Sequence, residues 1–183
     1  MRVITFLLAL LLILAVAGCT ASDDPDDDPG PTDVTSDAQI YATAIRQIYT
    51  VDHSFSEPPL WSLIYLVSTT NDSVMLDAPT GPPQNLPAAL QKEIQAELAD
   101  LPGELIWIDS LDDVLIDPAD GQIAQGEGIV ITLGNIHPQE DDSVQLPFFM
   151  TCGGLCGIGK TYTLNQLEGV WQMTGSVGPE IMS

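Results

Sequence analysis

Two histidines and an aspartate are the side chains of this chain best suited to proton transfer. Asp52 and His53 are adjacent in a stretch expected to form a loop, and His137 precedes Pro138 in another. A histidine oriented by a carboxylate can act as a general base, and loops often carry function, so these residues define a hydrolase hypothesis. Adjacent residues rarely hydrogen-bond in that way, and no Gly-x-Ser-x-Gly nucleophile motif accompanies them. These observations favour surface or structural histidines.

A second pattern is typical of nucleotide-binding proteins. Residues 154–161 read Gly-Leu-Cys-Gly-Ile-Gly-Lys-Thr and satisfy the P-loop pattern, in which backbone N–H groups and the lysine hold phosphates. A P-loop opens a helix, whereas residues 162–164 (Tyr-Thr-Leu) are typical of a continuing strand. Only 22 residues follow Thr161, too few for the rest of such a fold. We therefore interpret the segment as a glycine-rich turn before a hairpin, and no cofactor is predicted.

Two cysteines lie close together in the last quarter of the chain. Cys152 and Cys156 enclose only Gly-Gly-Leu, a sequence that can turn tightly enough to bring them to bonding distance. A disulfide between them is permitted outside the cytoplasm. So short a loop removes little entropy from the unfolded chain, so the bridge would fix a turn rather than hold the domain together. The alternative is a pair of buried thiols.

The chain is strongly acidic. It has 4 Lys and Arg against 26 Asp and Glu, a formal net charge of −22. This charge makes nucleic acid and anionic lipid poor partners and attracts cations and basic surfaces. Five aspartates within twelve residues offer oxygen ligands for calcium: Asp109, Asp112, Asp113, Asp117 and Asp120. Their spacing departs from the EF-hand pattern and no zinc-site spacing occurs, so no metal site is predicted.

Hydrophobic spacing indicates the elements that must position these residues. A helix capped by Ser36 or Asp37 is predicted to run to Tyr49, and a second helix spans 86–101 with Pro87 in its first turn. Runs rich in β-formers predict strands over residues 60–67, 105–109, 114–116, 128–135, 144–151, 161–164 and 170–174. Early helices and late consecutive strands predict an α+β fold: an antiparallel sheet of about five to six strands, two helices packed on one face, and a C-terminal β-hairpin.

The hairpin region has a recognisable pattern. Tyr162-x-Leu164 followed by Gly169-x-Trp171 resembles a C-terminal hairpin of uncharacterised exported bacterial proteins. The resemblance implies a fold for about 13 residues and no functional residue.

The N-terminal stretch indicates where the protein is located. Residues 3–17 carry no charge, and fifteen helical residues cover only about 22 Å of the roughly 30 Å hydrocarbon core. Arg2, the apolar run and the small residues that follow are typical of an export signal. The run Val16-Ala17-Gly18-Cys19 resembles the lipobox of bacterial lipoproteins. The resemblance implies cleavage before Cys19, whose thiol would carry a diacyl lipid; an ordinary cleaved signal peptide and an uncleaved anchor are the alternatives.

This N-terminus divides the chain into three segments. We predict a lipoprotein signal peptide over 1–18, an acidic Asp- and Pro-rich tether over 19–36, and a single globular domain over 37–183. The lipid on Cys19 would bind the cell membrane or outer membrane, with the domain facing outside the cytoplasm. The function expected is that of a non-enzymatic binding or scaffolding domain. The alternatives are an envelope hydrolase using Asp52, His53 and His137, and an acidic cation-binding module.

Overall fold

The computed structural model describes residues 34–53, 61–75, 77–117, 122–123, 128–154 and 156–182. The predicted signal peptide, the lipobox with Cys19, the tether up to residue 33, and Asp120 lie outside these residues. All described residues belong to a compact unit spanning 31–183. Within the described ranges, no helix is both long and apolar enough to cross a membrane.

Two α-helices and nine strands form the described part of the chain. The helices are α1 (Val34–Thr50) and α2 (Ala88–Glu97). The strands are β1 (Leu63–Val67), β2 (Glu104–Ile108), β3 (Leu115–Asp117), β4 (Gln122–Ile123), β5 (Gly128–Leu133), β6 (His137–Pro138), β7 (Val144–Gly153), β8 (Cys156–Leu167) and β9 (Val170–Met182). Helix α1 spans Val34–Thr50 in the described residues, so residues 34–36, assigned to the tether, are helical. Ser36 and Asp37 lie inside the helix, and the prediction that one of them caps it is wrong.

The predicted α+β class is confirmed, but the prediction of an antiparallel sheet is wrong. In the described residues the main sheet has seven strands in the order β2-β1-β5-β7-β8-β9, with β6 paired to β7. Strand β1 pairs parallel with both β2 and β5, whereas β5, β7, β8 and β9 pair antiparallel. The sheet is therefore mixed.

The parallel half follows from the connection between β1 and β2. Parallel neighbours need a crossover of a dozen or more residues, usually a helix. The 36 residues between Val67 and Glu104 contain α2 and provide that crossover. The order of elements along the chain did not reveal this crossover. The helix pattern over residues 86–101 is compatible with either a βαβ unit or a separate layer of helices.

Alternate residues of the sheet contribute to two cores. Ile64 and Ile129 belong to a large core that also contains Ile45 of α1 and Ile94 of α2. On the neighbouring positions, Tyr65 and Val130 join a smaller core with Val114 and Ile123 near the two-stranded β3–β4 sheet. Because successive side chains of a strand point to opposite faces, both faces of β1 and β5 are covered.

The last two strands are much longer than predicted. Strands β8 and β9 have 12 and 13 residues and are joined by Glu168 and Gly169, both at positive φ. Two positive φ angles in a two-residue loop match the turn that fits the twist of an antiparallel pair. The prediction stopped short because glycines at 157, 159, 175 and 178 interrupt the strand pattern.

Candidate functional site

The carboxyl ends of the parallel strands bring together polar residues distant in the sequence. Strand β1 leads into residues 68–72, β2 into Asp109, and β5 into residues 134–137. Backbone hydrogen bonds tie the segment after the central strand β1 to the ends of β2 and β5. The Ser68 N–H donates to the Ile108 carbonyl and the Asn71 N–H donates to the Leu133 carbonyl, each at 2.8 Å.

This edge is a topological switch point. The chain leaves the carboxyl end of β1 toward β2 on one side, and it leaves β5 toward β6 and β7 on the other. Where neighbouring parallel strands diverge in this way, a crevice opens outside their carboxyl ends, and ligands of open α/β sheets bind there. The fold therefore places a candidate site between β1 and β5.

A buried carboxylate organises the edge. The Asp72 side chain is only 1% exposed. Its Oδ1 accepts a hydrogen bond from the Asn135 N–H at 2.7 Å, and its Oδ2 accepts one from Asn135 Nδ2 at 2.9 Å. His137 Nε2 lies 3.0 Å from the same Oδ2, where Nε2–H donates to the carboxylate. Three donors offset the cost of removing this charge from water.

Asn135 extends the network toward β1. Its Oδ1 accepts a hydrogen bond from Thr70 Oγ1 at 2.6 Å, and its Nδ2 also donates to the Pro82 carbonyl at 3.1 Å. The Thr70 hydroxyl in turn accepts from the Gln84 N–H at 2.9 Å. The polar groups of Asp72, Asn135 and Thr70 are thus engaged with one another, which fixes the loops after β1 and β5 in one arrangement.

Two glycines leave room for the Asp72–Asn135 network because they have no side chain. A Cβ added to Gly134 would lie 2.6 Å from Asp72 Oδ1 and 2.9 Å from Pro147 Cδ. A Cβ on Gly81 would lie 2.9 Å from Asn135 Nδ2. Larger residues at either position would displace the hydrogen-bonded groups.

Beside this network lies an open crevice of about 440 Å³. Its polar lining is supplied by Thr69, Asn71, Asp109, Ser110 and Thr132, and its apolar lining includes Val67, Leu111 and Phe149. This volume lies in the range typical of small-molecule sites. The lining contains one carboxylate and no basic side chain, so it has no countercharge for an anion.

A second polar cluster surrounds Asp52. Lys160 Nζ lies 2.7 Å from Asp52 Oδ1 and 3.1 Å from Glu180 Oε1. Asp52 Oδ2 accepts hydrogen bonds from the Tyr162 hydroxyl at 2.8 Å and from Gln47 Nε2 at 3.0 Å. The cluster joins the end of α1 to β8 and β9, which indicates a structural role.

The charges of this cluster shift the acidity of its members. Burial raises the pKa of Asp52, but hydrogen bonds from Lys160, Gln47 and Tyr162 outweigh it and hold that pKa below its usual value. Burial, and then the hydrogen bond to Asp52, raise the pKa of Tyr162 well above its usual value. Tyr162 therefore acts as a neutral donor to an ionised Asp52.

The structure does not assemble the predicted hydrolase residues into one site. Asp52 is bound to Lys160 and Tyr162, whereas His137 is bound to Asp72. The His53 ring lies edge-on to Trp61, with centroids 6.4 Å apart, and its Nδ1 is buried with no hydrogen-bond partner in the described ranges. No described hydroxyl or thiol hydrogen-bonds to the His137 ring.

Most of the P-loop pattern lies in a strand, because β8 begins at Cys156. The interpretation of the segment as a glycine-rich turn is therefore wrong for residues 156–161, whereas the prediction that residues 162–164 continue as strand is confirmed. Lys160 is occupied by Asp52 and Glu180 rather than facing a phosphate cradle.

The paired cysteines lie at the irregular connection between β7 and β8. Their Cα atoms are 5.2 Å apart and the side chains form a disulfide in the structure. The register of the two strands shifts between Thr151 and Gly153, so the bridge closes a bulged turn.

Of the five aspartates considered as calcium ligands, the structure describes the side chains of Asp109, Asp112 and Asp113. Asp113 accepts a hydrogen bond from the Ser110 N–H at 2.9 Å, and Asp109 accepts one from Ser68 Oγ at 3.3 Å. In the described part of the chain, no three His, Cys, Asp or Glu side chains are arranged to hold a metal ion.

Sequence reasoning missed Asp72, Asn135 and Thr70. Each lies within five residues of the end of a strand whose apolar run is buried, and the carboxyl ends of parallel strands are where binding residues gather. The signal was present in the run Thr-Thr-Asn-Asp over 69–72 and in Gly-Asn over 134–135. These polar residues could not be recognised as one site from the sequence, because the parallel pairing of β1 and β5 that brings them together was not predicted.

No protein-family model, curated protein or solved structure matches the chain.

Proposed function

We propose that the protein is a lipid-anchored binding domain of the bacterial cell envelope, whose ligand occupies the crevice at the carboxyl ends of β1, β2 and β5. The observation that supports it most is the position of the crevice at a topological switch point, beside loops held by the buried Asp72–Asn135 network. A rigid, pre-formed site favours binding, because little ordering entropy is lost when the ligand enters.

In this proposal the two helices cover one face of the sheet and the C-terminal hairpin forms its edge. Support comes from the shared core of Ile45, Ile94 and Ile129, and from the antiparallel register of Cys156–Leu167 with Val170–Met182. On the opposite face, Val67 and Leu111 belong to the smaller core and also form part of the apolar wall of the crevice.

Binding is favoured over catalysis by how the polar groups are used. Asp52, Lys160 and Tyr162 satisfy one another, and Asp72 is held by Asn135 and His137. An activated nucleophile would need a base beside it, and no described hydroxyl or thiol hydrogen-bonds to the His137 ring. A cation-binding role would likewise need converging oxygen ligands.

The lining of the crevice defines the chemical class of the ligand. Hydroxyls of Thr69, Ser110 and Thr132 exchange hydrogen bonds with polar solutes, and Asp109 favours a positive group. The net charge of −22 repels anions from the whole surface. The ligand is therefore a small neutral or cationic solute that carries hydrogen-bond donors.

Thermal unfolding of the full chain carrying Cys19→Ser tests the crevice. Argininamide and methyl glucoside are the cationic and neutral probes, and glutamate is the anionic control. We expect at least one of the first two to raise the melting temperature and glutamate to leave it unchanged; a ligand at ten times its Kd adds about 1.4 kcal/mol. Thr132→Phe, which fills the crevice, should abolish the effect, and Thr80→Phe on another exposed loop should retain it. Stabilisation that survives Thr132→Phe would place binding elsewhere, and no response to either probe would contradict the proposed ligand class.

Cell fractionation tests the anchor. We expect the native chain in the membrane fraction and Cys19→Ser in the soluble exported fraction, because two or three acyl chains make attachment effectively permanent. The control is the double variant Cys152→Ser/Cys156→Ser, which removes the other two cysteines and should stay with the membrane. A Cys19→Ser chain that stays with the membrane would contradict the lipid anchor.

A further inference from the structure

We propose, on the basis of the function proposed above, that the crevice selects an organic ammonium ion with an apolar body and that Asp109 recognises its charge. Asp109 directly follows the last residue of β2, so it lies at the carboxyl end of that strand. It contributes the one carboxylate of the crevice lining, and no basic side chain belongs to that lining. The charge of Asp109 is therefore complementary to a cation in the crevice.

The neighbouring strand β1 holds Asp109 in position. The Ser68 hydroxyl donates a hydrogen bond to Asp109 Oδ1 at 3.3 Å, and the Ser68 N–H donates to the Ile108 carbonyl at 2.8 Å. Asp109 Oδ2 makes no hydrogen bond to the described part of the chain. One oxygen of the carboxylate is thus fixed by the protein, and the other is able to accept an N–H group of a ligand.

The apolar floor of the crevice is formed by neighbouring residues of the sheet. Thr132 of β5 and Phe149 of β7 are register partners, and Val67 of β1 lies beside Thr132 because the preceding residues, Leu66 and Ile131, are paired. Val67, Thr132 and Phe149 all line the crevice. An apolar group can pack on this floor, and the aromatic ring also attracts a cation.

Charge alone does not account for binding at this place. Asp109 is exposed, and an ion pair between exposed groups contributes little because water and salt screen it. A ligand with an apolar body gains additional affinity by covering Val67 and Phe149. The same body keeps water away from the ion pair and strengthens it. The favoured ligand therefore carries an ammonium group and an apolar body together.

A metal ion is a poorer fit to this site than an organic cation. Calcium takes about six to eight oxygen ligands, whereas one carboxylate supplies at most two. The nearby Asp113 carboxylate already accepts a hydrogen bond from the Ser110 N–H at 2.9 Å. Within the described ranges, no three His, Cys, Asp or Glu side chains are arranged to hold a metal ion. An ammonium group needs only one carboxylate.

A matched pair of ligands tests the selection of charge. Benzylammonium and benzyl alcohol have the same ring and differ only in the ammonium or hydroxyl group. In NMR titrations of the full chain carrying Cys19→Ser, we expect benzylammonium to bind at least about fivefold more tightly than benzyl alcohol. Methylammonium, which lacks the ring, should bind at least about tenfold more weakly than benzylammonium.

The substitution Asp109→Asn tests the residue assigned to this selection. It keeps the shape of the side chain and an acceptor for Ser68, so the affinity for benzyl alcohol should change by less than about twofold, whereas the preference for benzylammonium should fall below about twofold. Glu104→Gln is the matched control, because it removes the same charge from the other, exposed end of β2. That end lies about 16 Å away at about 3.3 Å per residue, beyond the screening length of about 10 Å in 0.1 M salt. The preference should persist in this control.

The outcomes separate this inference from the function on which it is based. Equal affinities of the two aromatic ligands for the native chain, or a preference that survives Asp109→Asn, would overturn the selection by Asp109. If benzyl alcohol binding is then still lost in Thr132→Phe, the crevice remains a binding site and only its specificity was wrong. Binding of neither aromatic ligand would overturn the inference, and the response to argininamide and methyl glucoside would decide the proposed function separately.

Discussion

At the scale of residues, two aspartates with different partners organise the two polar clusters described above. Asp72 is held by Asn135 and His137 at the crevice, and Asp52 by Lys160 and Tyr162 near the end of α1. The sequence identified Asp52, the adjacent His53, and His137 as candidates. In the structure Asp52 and His137 contact partners 65 to 110 residues away in the chain, and adjacency in sequence carries no information about such contacts.

The buried carboxylate predicts a large effect of a nearly isosteric substitution. In Asp72→Asn, the new amide N–H group faces the donors of Asn135, so at least one buried donor loses its acceptor. We expect the free energy of unfolding to fall by about 2 to 3 kcal/mol, measured by urea denaturation. Asp112→Asn, at an exposed position, should change it by no more than about 0.5 kcal/mol. Equal stabilities of the two variants would show that the network does not hold the loops.

The depressed pKa of Asp52 predicts a pH-dependent contribution to stability. Because the folded-state pKa lies below the unfolded one, the contribution is fully present above about pH 4 and is lost as pH falls through the folded pKa. We expect Asp52→Asn to cost about 2 kcal/mol at neutral pH and the difference from the native chain to shrink below pH 4. Unfolding curves from pH 7 to pH 2 measure it, and a difference that stays constant would contradict the assignment.

At the scale of elements, the sequence predicted which segments are helical or extended better than it predicted their order in the sheet. Helix periodicity located both helices, because apolar spacing is a local property. The parallel neighbours of β1 depend on the crossover through α2, which no local pattern specifies. The candidate crevice lies at the ends of these parallel strands, so the sequence could not predict it either.

The turn between β8 and β9 predicts a glycine requirement. Gly169 has a φ of +82°, a conformation that other residues adopt only at a cost. We expect Gly169→Ala to lower the free energy of unfolding by about 1 kcal/mol. Gly175 in β9 is the matched control, because its φ is ordinary and a Cβ there meets nothing within 4 Å. Loss of stability in Gly175→Ala but not in Gly169→Ala would contradict this description of the turn.

The disulfide belongs to a local turn, so its removal should have a limited effect. A loop of about five residues corresponds to about 2 kcal/mol of chain entropy in the simplest treatment. We therefore expect Cys152→Ser/Cys156→Ser to remain folded, with the free energy of unfolding reduced by no more than about 2 kcal/mol. Intact mass before and after alkylation of the native chain shows whether the pair is oxidised. Global unfolding of the double variant would assign the bridge a larger role.

At the scale of the whole molecule, the net charge bears on the proposed lipid anchor. A chain with a net charge of −22 is repelled by anionic lipid, so attachment to a membrane needs a strong apolar contribution such as two or three acyl chains. The overall charge and the lipobox pattern could be read from the sequence, but only the fold located the crevice, whose lining has one carboxylate and no basic side chain.

The mass of the mature N-terminal peptide, taken from protein in the membrane fraction, tests the lipid-anchored proposal most directly. We predict a chain that begins at Cys19 and carries the added mass of a diacylglyceryl group on its sulfur, with or without a further acyl chain on its amine. A mature chain that begins at any other residue, or an unmodified Cys19 in the membrane fraction, would contradict it.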